Sequence, residues 1–164
     1  SAGAKIIDGG KETLESLLKY VSPSPSVIKL EFPDTEINSS GSNLSYSLSL
    51  QAQYPLDKVE VSSIEIAPSG SPFQVTTATP IIVNRGQSTP INVRFTPTEA
   101  REYAATAKFR AADGSILYTA ELKGKGIAPP QPPAPVITSF FPTRGSDGTM
   151  ISIYGENFTN LTSV

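Results

Sequence analysis

The chain has 164 residues, a formal net charge of −2 and a charged fraction of only 17%. Its lysines and arginines are scattered, with the tightest grouping at Lys123 and Lys125, so we expect no nucleic-acid partner, which would need clustered cations. The lack of cysteine and histidine excludes disulfides, metal sites built on those ligands and the usual catalytic triads, and no apolar run reaches the roughly 20 residues of a membrane span.

The N-terminal segment, residues 1–26, contains the one helical pattern of the sequence. Its apolar residues recur at helical spacing within residues 11–21, namely at Leu14, Leu17, Leu18 and Val21. Pro23 and Pro25 end the pattern. Because so short a helix is marginal alone, we expect its leucine face to dock. A docked or linking helix is the prediction, and a partner-binding helix is the alternative.

From residue 27 onward the hydrophobic period changes to two, which is typical of half-buried antiparallel strands. In residues 46–54, YSLSLQAQY, the apolar and aromatic side chains share one face and the polar ones the other. Further short strands are expected at residues 28–32, 59–61, 64–66, 73–75, 81–83 and 91–95. About eight short strands over about 100 residues predict an all-β fold, an antiparallel β-sandwich spanning residues 27–127.

Residues 94–126 predict a regular hairpin within this sandwich. Asp113-Gly114 is its turn signal, because Asp and Gly tolerate the positive φ that a tight turn needs. One face of the two strands is expected to carry Tyr103, Ala105, Ala107, Phe109, Ile116, Tyr118, Ala120 and Leu122. Phe95 shares a face with Ile91 and Val93, so we expect it to be buried.

Residues 128–135, APPQPPAP, interrupt the strand pattern and predict a semi-rigid, extended linker. Residues 136–164 follow with two or three strands and a turn at residues 143–148. Two or three isolated strands are marginal in water, and an open apolar edge favours pairing with another chain. We therefore expect this segment to gain its order from borrowed contacts, either against the first domain or against another chain, the latter through strand-mediated self-association of residues 136–164.

Two stretches resemble known families. Residues 27–127 are similar to the bacterial ASPM–SPD-2–Hydin (ASH) type of immunoglobulin-like domain, through Val93-Arg94-Phe95-Thr96-Pro97-Thr98, Tyr103-Ala104-Ala105-Thr106 and Leu122-Lys123-Gly124-Lys125-Gly126. Residues 136–164 resemble the start of an IPT/TIG immunoglobulin-like domain, through Pro135-Val136-Ile137, Phe141-Pro142, Gly145, Gly148-Thr149 and Ile153-Tyr154-Gly155-Glu156-Asn157-Phe158. That stretch covers about 30 residues, so the second domain is expected to be truncated, since such domains need about 100.

These resemblances imply an immunoglobulin-like sandwich followed by an incomplete second one, in a multi-domain bacterial protein that is secreted or exposed at the cell surface. They imply no activity, because this architecture hosts many functions. The expected function is a non-catalytic spacer or an adhesion and binding scaffold, with a protein or glycan partner at the cell surface. An intracellular ciliary or centrosomal scaffold is allowed by the eukaryotic members of the first family and disfavoured by the second resemblance.

Carboxylate chemistry would need acids that stand close together, and three pairs are close in sequence: Asp34 and Glu36, Asp57 and Glu60, and Glu99 and Glu102. Glycoside hydrolysis needs two carboxylates across a cleft, and these residues fall in turns and on polar strand faces, so they read as solvated surface charge. Asp34, Glu36 and Asp147 lie in loops where calcium ligands could gather, yet none forms a dense ligand series. We expect no catalytic residue, no cofactor and no metal site.

The alternative function is a glycan-recognition module of a polysaccharide-uptake system. Sugar platforms use exposed aromatic rings, and this chain has no tryptophan. Three tyrosines fall on core-facing strand positions, namely Tyr46, Tyr103 and Tyr118. Tyr54 lies at a strand end and is the best exposed candidate for a ligand contact.

Overall fold

The structure, a computed structural model, describes Pro23 and residues 27–159, and the helix expected at residues 11–21 lies outside that part of the chain. The chain divides into two compact units, Ser1–Ala128 and Pro129–Val164. Every regular element in the described residues is a strand, because short alternating segments are interrupted by turns rich in proline, glycine and serine. The strands are β1 (Ile28–Glu31), β2 (Thr35–Glu36), β3 (Ser42–Ser49), β4 (Lys58–Val61), β5 (Ser63–Ala67), β6 (Phe73–Val75), β7 (Ile81–Asn84), β8 (Ser88–Phe95), β9 (Glu102–Arg110), β10 (Ile116–Ile127), β11 (Val136–Phe141) and β12 (Ser152–Glu156).

The larger sheet of the first unit has the strand order β1-β10-β9-β5, and β2 also pairs with β10. Strands β1 and β2 run parallel to β10, whereas β9 is antiparallel to both β10 and β5. The outer face of this sheet places opposite charges directly opposite each other, with Glu31 against Lys123 and Glu102 against Lys125. Cross-strand pairs of this kind contribute about 0.2–1 kcal/mol each and help to fix the register.

A three-stranded sheet, β3-β8-β6, and a two-stranded sheet, β4-β7, are antiparallel throughout. Apolar residues of these sheets and of the larger one share a single buried cluster. The fold of the first unit is therefore all-β and consistent with a β-sandwich. The predicted facing is confirmed for the core residues of β9, where Tyr103, Ala105, Ala107 and Phe109 are all buried.

Phe95, at the end of β8, lies at the centre of this cluster and is fully buried, as predicted. Its ring stacks on Phe73 with a centroid distance of 4.7 Å and lies 5.6 Å from Phe32. Tyr103 presents its edge to Phe95 at 5.8 Å. Because the four rings come from four separate segments of the chain, this aromatic cluster joins the layers of the unit.

The strand predicted at residues 46–54 occupies a different range in the structure. Strand β3 begins at Ser42 and ends at Ser49, and the chain then turns, with the Tyr54 N–H donating to the Gln51 carbonyl at 3.1 Å. Both backbone groups of Leu50 bond to the turn between β7 and β8. The Leu50 N–H donates to the Gln87 carbonyl, and the Leu50 carbonyl accepts from the Gly86 N–H. These bonds extend the pairing by one residue beyond β3, and the chain then turns at residues 51–54 although the alternating pattern continues.

The hairpin between β9 and β10 turns at Asp113-Gly114, and only Gly114 has a positive φ, of 87°. Gly114 N–H donates to the Ala111 carbonyl and Ala111 N–H to the Ser115 carbonyl, both at 2.9 Å, which describes a three-residue turn instead of the tighter form. Hydrogen bonds from the Ser115 hydroxyl, and then from its N–H, lower the pKa of Asp113.

The facing predicted for Ile116 is wrong, because a register irregularity between Ile116 and Tyr118 turns Ile116 out to solvent. Leu117 packs against the core in its place, half-buried. From Tyr118 onward the alternation follows the prediction, and Tyr118, Ala120 and Leu122 are buried.

Candidate functional site

Tyr54, the predicted ligand contact, is enclosed, and the expectation that it is exposed is wrong. Only 4% of its surface is accessible, and burial raises its pKa. The turn after β3 carries it back over the core, where it lies near enough to Tyr118 to influence that residue's pKa. A ring in this position offers no open face for a sugar to stack on, so its role as a ligand contact stays a prediction without structural support.

Tyr118 occupies the other side of this tyrosine pair. Its hydroxyl donates to the Ser49 carbonyl at 2.8 Å, which ties β10 to the end of β3. Its ring meets Phe109 edge-on with centroids 6.4 Å apart. Burial, and then the nearby Tyr54, raise the pKa of Tyr118 above its ordinary range. Both tyrosines thus serve the packing between layers as neutral phenols.

The six acids that stand close in sequence all lie at the surface, and two of them contact arginines. Asp57 pairs with Arg85 at 2.9 Å, and Glu99 pairs with Arg101 at the same distance. Within the described residues, no three acidic side chains come together in a geometry that could hold a metal ion. Exposed ion pairs of this kind contribute at most about 1 kcal/mol each.

An open groove of about 480 Å³ crosses one end of the larger sheet, above the aromatic cluster. Phe32, Tyr103 and Gly124 line it, and both aromatic residues are buried. Its remaining lining is polar and of mixed charge, with Glu31, Asp34, Glu102, Lys123 and Lys125. A second groove of about 370 Å³ adjoins it and shares Ala104 and Lys123. No sequence pattern indicated this surface, because it arises where the small side chain of Ala104 leaves space between longer neighbours.

A closely bonded corner lies between β8 and β9. The Tyr103 hydroxyl accepts a hydrogen bond from the Glu99 N–H, four residues upstream, at 3.1 Å. Arg101 covers the same ring, with its guanidinium carbon 3.8 Å from the centroid. Gly126 N–H donates to the Arg101 carbonyl at 2.8 Å. A methyl group at Gly126 would meet the Glu99 carbonyl oxygen. Because Gly126, the second glycine of Gly-x-Gly, has no side chain, the backbone of the corner can pack closely against β10.

The second unit is described from residue 129 to residue 159 and contains an antiparallel hairpin of β11 and β12. Directly opposite pairs share a face, so Phe140 with Ile153 and Ile137 with Gly155 lie on one side. This apolar hairpin face, defined by Ile137, Phe140 and Ile153, carries no charge. Phe140 is 52% exposed and Phe141, which faces the other way, is 71% exposed.

No helix within the described residues is long and apolar enough to cross a membrane. No protein-family model matches the chain, and no curated protein matches it. Among solved structures, the chain shows a distant similarity to the Vibrio cholerae VesB protease, with 15% identity and a TM-score of 0.44. The alignment covers 68% of this chain and 34% of that one, so the chain spans about a third of the protease's length.

Proposed function

We propose that this chain is a non-catalytic immunoglobulin-like module that serves as a spacer or as an adhesion and binding scaffold in a larger secreted or surface-exposed bacterial protein. The observation that carries the proposal is the bond from the Glu99 N–H to the Tyr103 hydroxyl. Immunoglobulin-like sandwiches commonly have a tyrosine near the start of strand F, and its hydroxyl bonds to the backbone a few residues upstream. Residues 27–127 supply the ASH-like domain in this proposal.

The strand order supports the same interpretation. Immunoglobulin-like domains place strands A, B, E and D in one sheet and strands C, F and G in the other. Here β3-β8-β6 corresponds to B, E and D, and β5-β9-β10 corresponds to C, F and G. The first strand departs from that arrangement, since β1 pairs with β10 and not with β3.

The sequence from Val136 to Thr159 provides the first strands of the IPT/TIG-like domain in this proposal. A two-stranded hairpin is marginal in water by itself, and β11 and β12 expose large apolar residues. The apolar hairpin face is therefore proposed to associate with another β-structured segment, either further strands of such a domain or a second copy of the chain.

The non-catalytic part of the proposal is supported by the placement of the acids, which are solvated or paired with arginines at the surface. The glycan-recognition alternative draws no support from Tyr54, because that side chain is enclosed. The mixed-charge groove lacks an open aromatic face as well, since Phe32 and Tyr103 lie in its floor.

Two experiments test the proposal. Limited proteolysis and antibody labelling of intact source cells should reach the protein, while a cytoplasmic marker stays protected. An array of glycans, followed by affinity electrophoresis of any hit, should show no specific retardation. Retardation that Lys123→Ala abolishes would establish glycan recognition at the groove and refute the spacer assignment. Failure of surface labelling would refute the proposed location independently of binding.

A further inference from the structure

Strand β3 has one free edge in the described structure. It pairs with β8 along all eight of its residues, from Ser42 opposite Phe95 to Ser49 opposite Ser88. No described strand pairs with its other side, because β3 is the terminal strand of the order β3-β8-β6. In the usual immunoglobulin-like arrangement the first strand covers this edge, whereas here β1 has moved to β10.

This edge differs from the other edges of the first unit in length and charge. Natural sheets protect their edges with short strands, charged side chains or proline. Strands β1, β4 and β5 carry Lys29, Lys58 and Glu65, and none is longer than five residues. Strands β6 and β7 have three and four residues. Strand β3, SNLSYSLS, is twice as long as most of these and has no charge and no proline.

The core beside β3 is also incompletely covered. Val93 and Ile91 on β8 are 1% and 0% exposed, whereas their direct partners Leu44 and Tyr46 are only half-buried. A further strand beside β3 would extend the sheet and enclose both side chains. The outer face would stay polar, since it carries Ser45 and Ser47.

We propose that the β3 edge is the interface through which two copies of this chain pair, antiparallel, around a two-fold axis. The strand suits a second copy for two reasons. It is uncharged, so pairing brings no like charges together. Antiparallel pairing of two identical strands also places apolar residues opposite apolar residues and polar residues opposite polar residues. With Tyr46 at the axis, Leu44 lies opposite Leu48 of the partner subunit and Ser45 opposite Ser47 of the partner subunit. The two three-stranded sheets then form one continuous sheet.

The contact is small, and interfaces below about 1,200 Å² are typical of weak, transient encounters. Modules held side by side on one surface experience a high effective concentration, of about millimolar order for short flexible tethers. A weak edge contact would therefore operate between neighbouring chains and vanish on dilution. The interface itself follows from strand order and edge chemistry, and only its operation between neighbouring chains rests on the proposed surface location.

The test combines sedimentation velocity with amide hydrogen exchange on the full chain over a wide concentration range. The β3 amides that point away from β8 should become protected as concentration rises, in step with a monomer–dimer shift. Ser45→Lys combined with Ser47→Lys should weaken association by about tenfold or more, because each copy then presents two cations at the shared edge. Asn92→Lys, which adds one charge to the same outer face opposite Ser45 on the interior strand, is the matched control and should change association less than about twofold.

Three results would overturn the inference. Protection of β3 that is already complete in the monomer would mean that the chain covers this edge itself. Association abolished by Phe140→Lys and untouched by the two β3 lysines would assign the contact to the apolar hairpin face. A chain that stays monomeric at the highest concentration would have no such interface. Thermal unfolding of each variant at low concentration verifies that the lysines leave the fold intact.

Discussion

The ring of Phe95 packs directly on the α-carbon of Gly124. A Cβ on Gly124 would lie 2.6 Å from Cε2 of that ring and 2.8 Å from both Cδ2 and Cζ. The contact joins the end of β8 to β10, so one glycine of the Gly-x-Gly motif lets the two layers approach. The Gly-x-Gly motif therefore has a packing function in this chain.

Gly124→Ala should destabilise the first unit by about 1–3 kcal/mol, because the Phe95 ring is enclosed by three other rings and cannot retreat. Urea denaturation measures the effect. Phe95→Leu leaves room beside position 124. The double variant should therefore be more stable than the sum of the two single losses predicts, with a coupling energy of about 0.5 kcal/mol or more. Strictly additive costs would show that the ring is not what excludes the methyl group.

The hairpin turn gives a second prediction. Gly114 has a φ of +87° and open space around the position of a Cβ, so a side chain there suffers backbone strain without a clash. Gly114→Val should cost on the order of 1 kcal/mol or more. Gly114→Asn should cost less, because asparagine tolerates this region of backbone space. Equal denaturation midpoints for Val and wild type, or equal losses for Val and Asn, would contradict this account.

The corner at Tyr103 gives the third prediction. Tyr103→Phe keeps the ring and removes the acceptor of the Glu99 N–H, so the expected loss of stability is about 1–2 kcal/mol. Exchange of the Glu99 amide hydrogen should accelerate at the same time. Tyr46→Phe is the control, since Tyr46 is a half-buried tyrosine on edge strand β3 and should change stability by less than about 0.5 kcal/mol. An unchanged Glu99 exchange rate would refute the corner bond.

The buried tyrosines Tyr54 and Tyr118 should make the free energy of unfolding decrease at alkaline pH. The folded state holds the proton of Tyr118 to a higher pH than the unfolded chain, in which a tyrosine ionises near pH 10. Its contribution is therefore fully present below about pH 10 and is lost as the pH rises further. Tyr54 acts in the same direction, because burial raises its pKa too.

Unfolding free energies measured by denaturant at neutral pH and above pH 10 should reveal this alkaline loss. Tyr118→Phe should be less stable than wild type at neutral pH, because the bond to the Ser49 carbonyl is gone. Above about pH 10 its stability should fall less steeply than that of wild type, since one of the two titrating phenols is absent. Parallel curves for the two proteins would mean that folding does not raise the pKa of Tyr118.

Local patterns in the sequence predicted the all-β fold and its buried residues. The predictions failed where contacts between residues distant in sequence determine the end of a strand or its pairing. Period-two alternation placed Phe95, Phe109 and Leu122 in the core, because alternate side chains of a strand share a face. The same alternation continues through residues 51–54, yet the chain turns there, with the Tyr54 N–H bonded to the Gln51 carbonyl, and Tyr54 is buried. The pairing of β1 with β10 is likewise a tertiary outcome, so the free edge of β3 had no sequence signal.

The final prediction concerns the apolar hairpin face. Phe140 and Ile153 lie directly opposite each other and both are largely exposed, so the hairpin should bind an apolar dye and favour association. Phe140→Lys should reduce dye fluorescence and any association through this hairpin, because it places a charge in the middle of the face. Ser152→Lys is the matched control, since Ser152 lies opposite Phe141 on the other side of the hairpin.

The two variants should separate clearly in dye binding and sedimentation, with Ser152→Lys close to wild type and Phe140→Lys lower in both. Hydrogen exchange should locate the change at residues 136–156 and leave the β3 amides untouched, which distinguishes this contact from pairing at the β3 edge. If both lysines act alike, a general charge effect explains the result and the face has no special part in association. If neither changes either measurement, the exposed apolar residues of β11 and β12 do not mediate association, and the hairpin is stable through its own strand pairing.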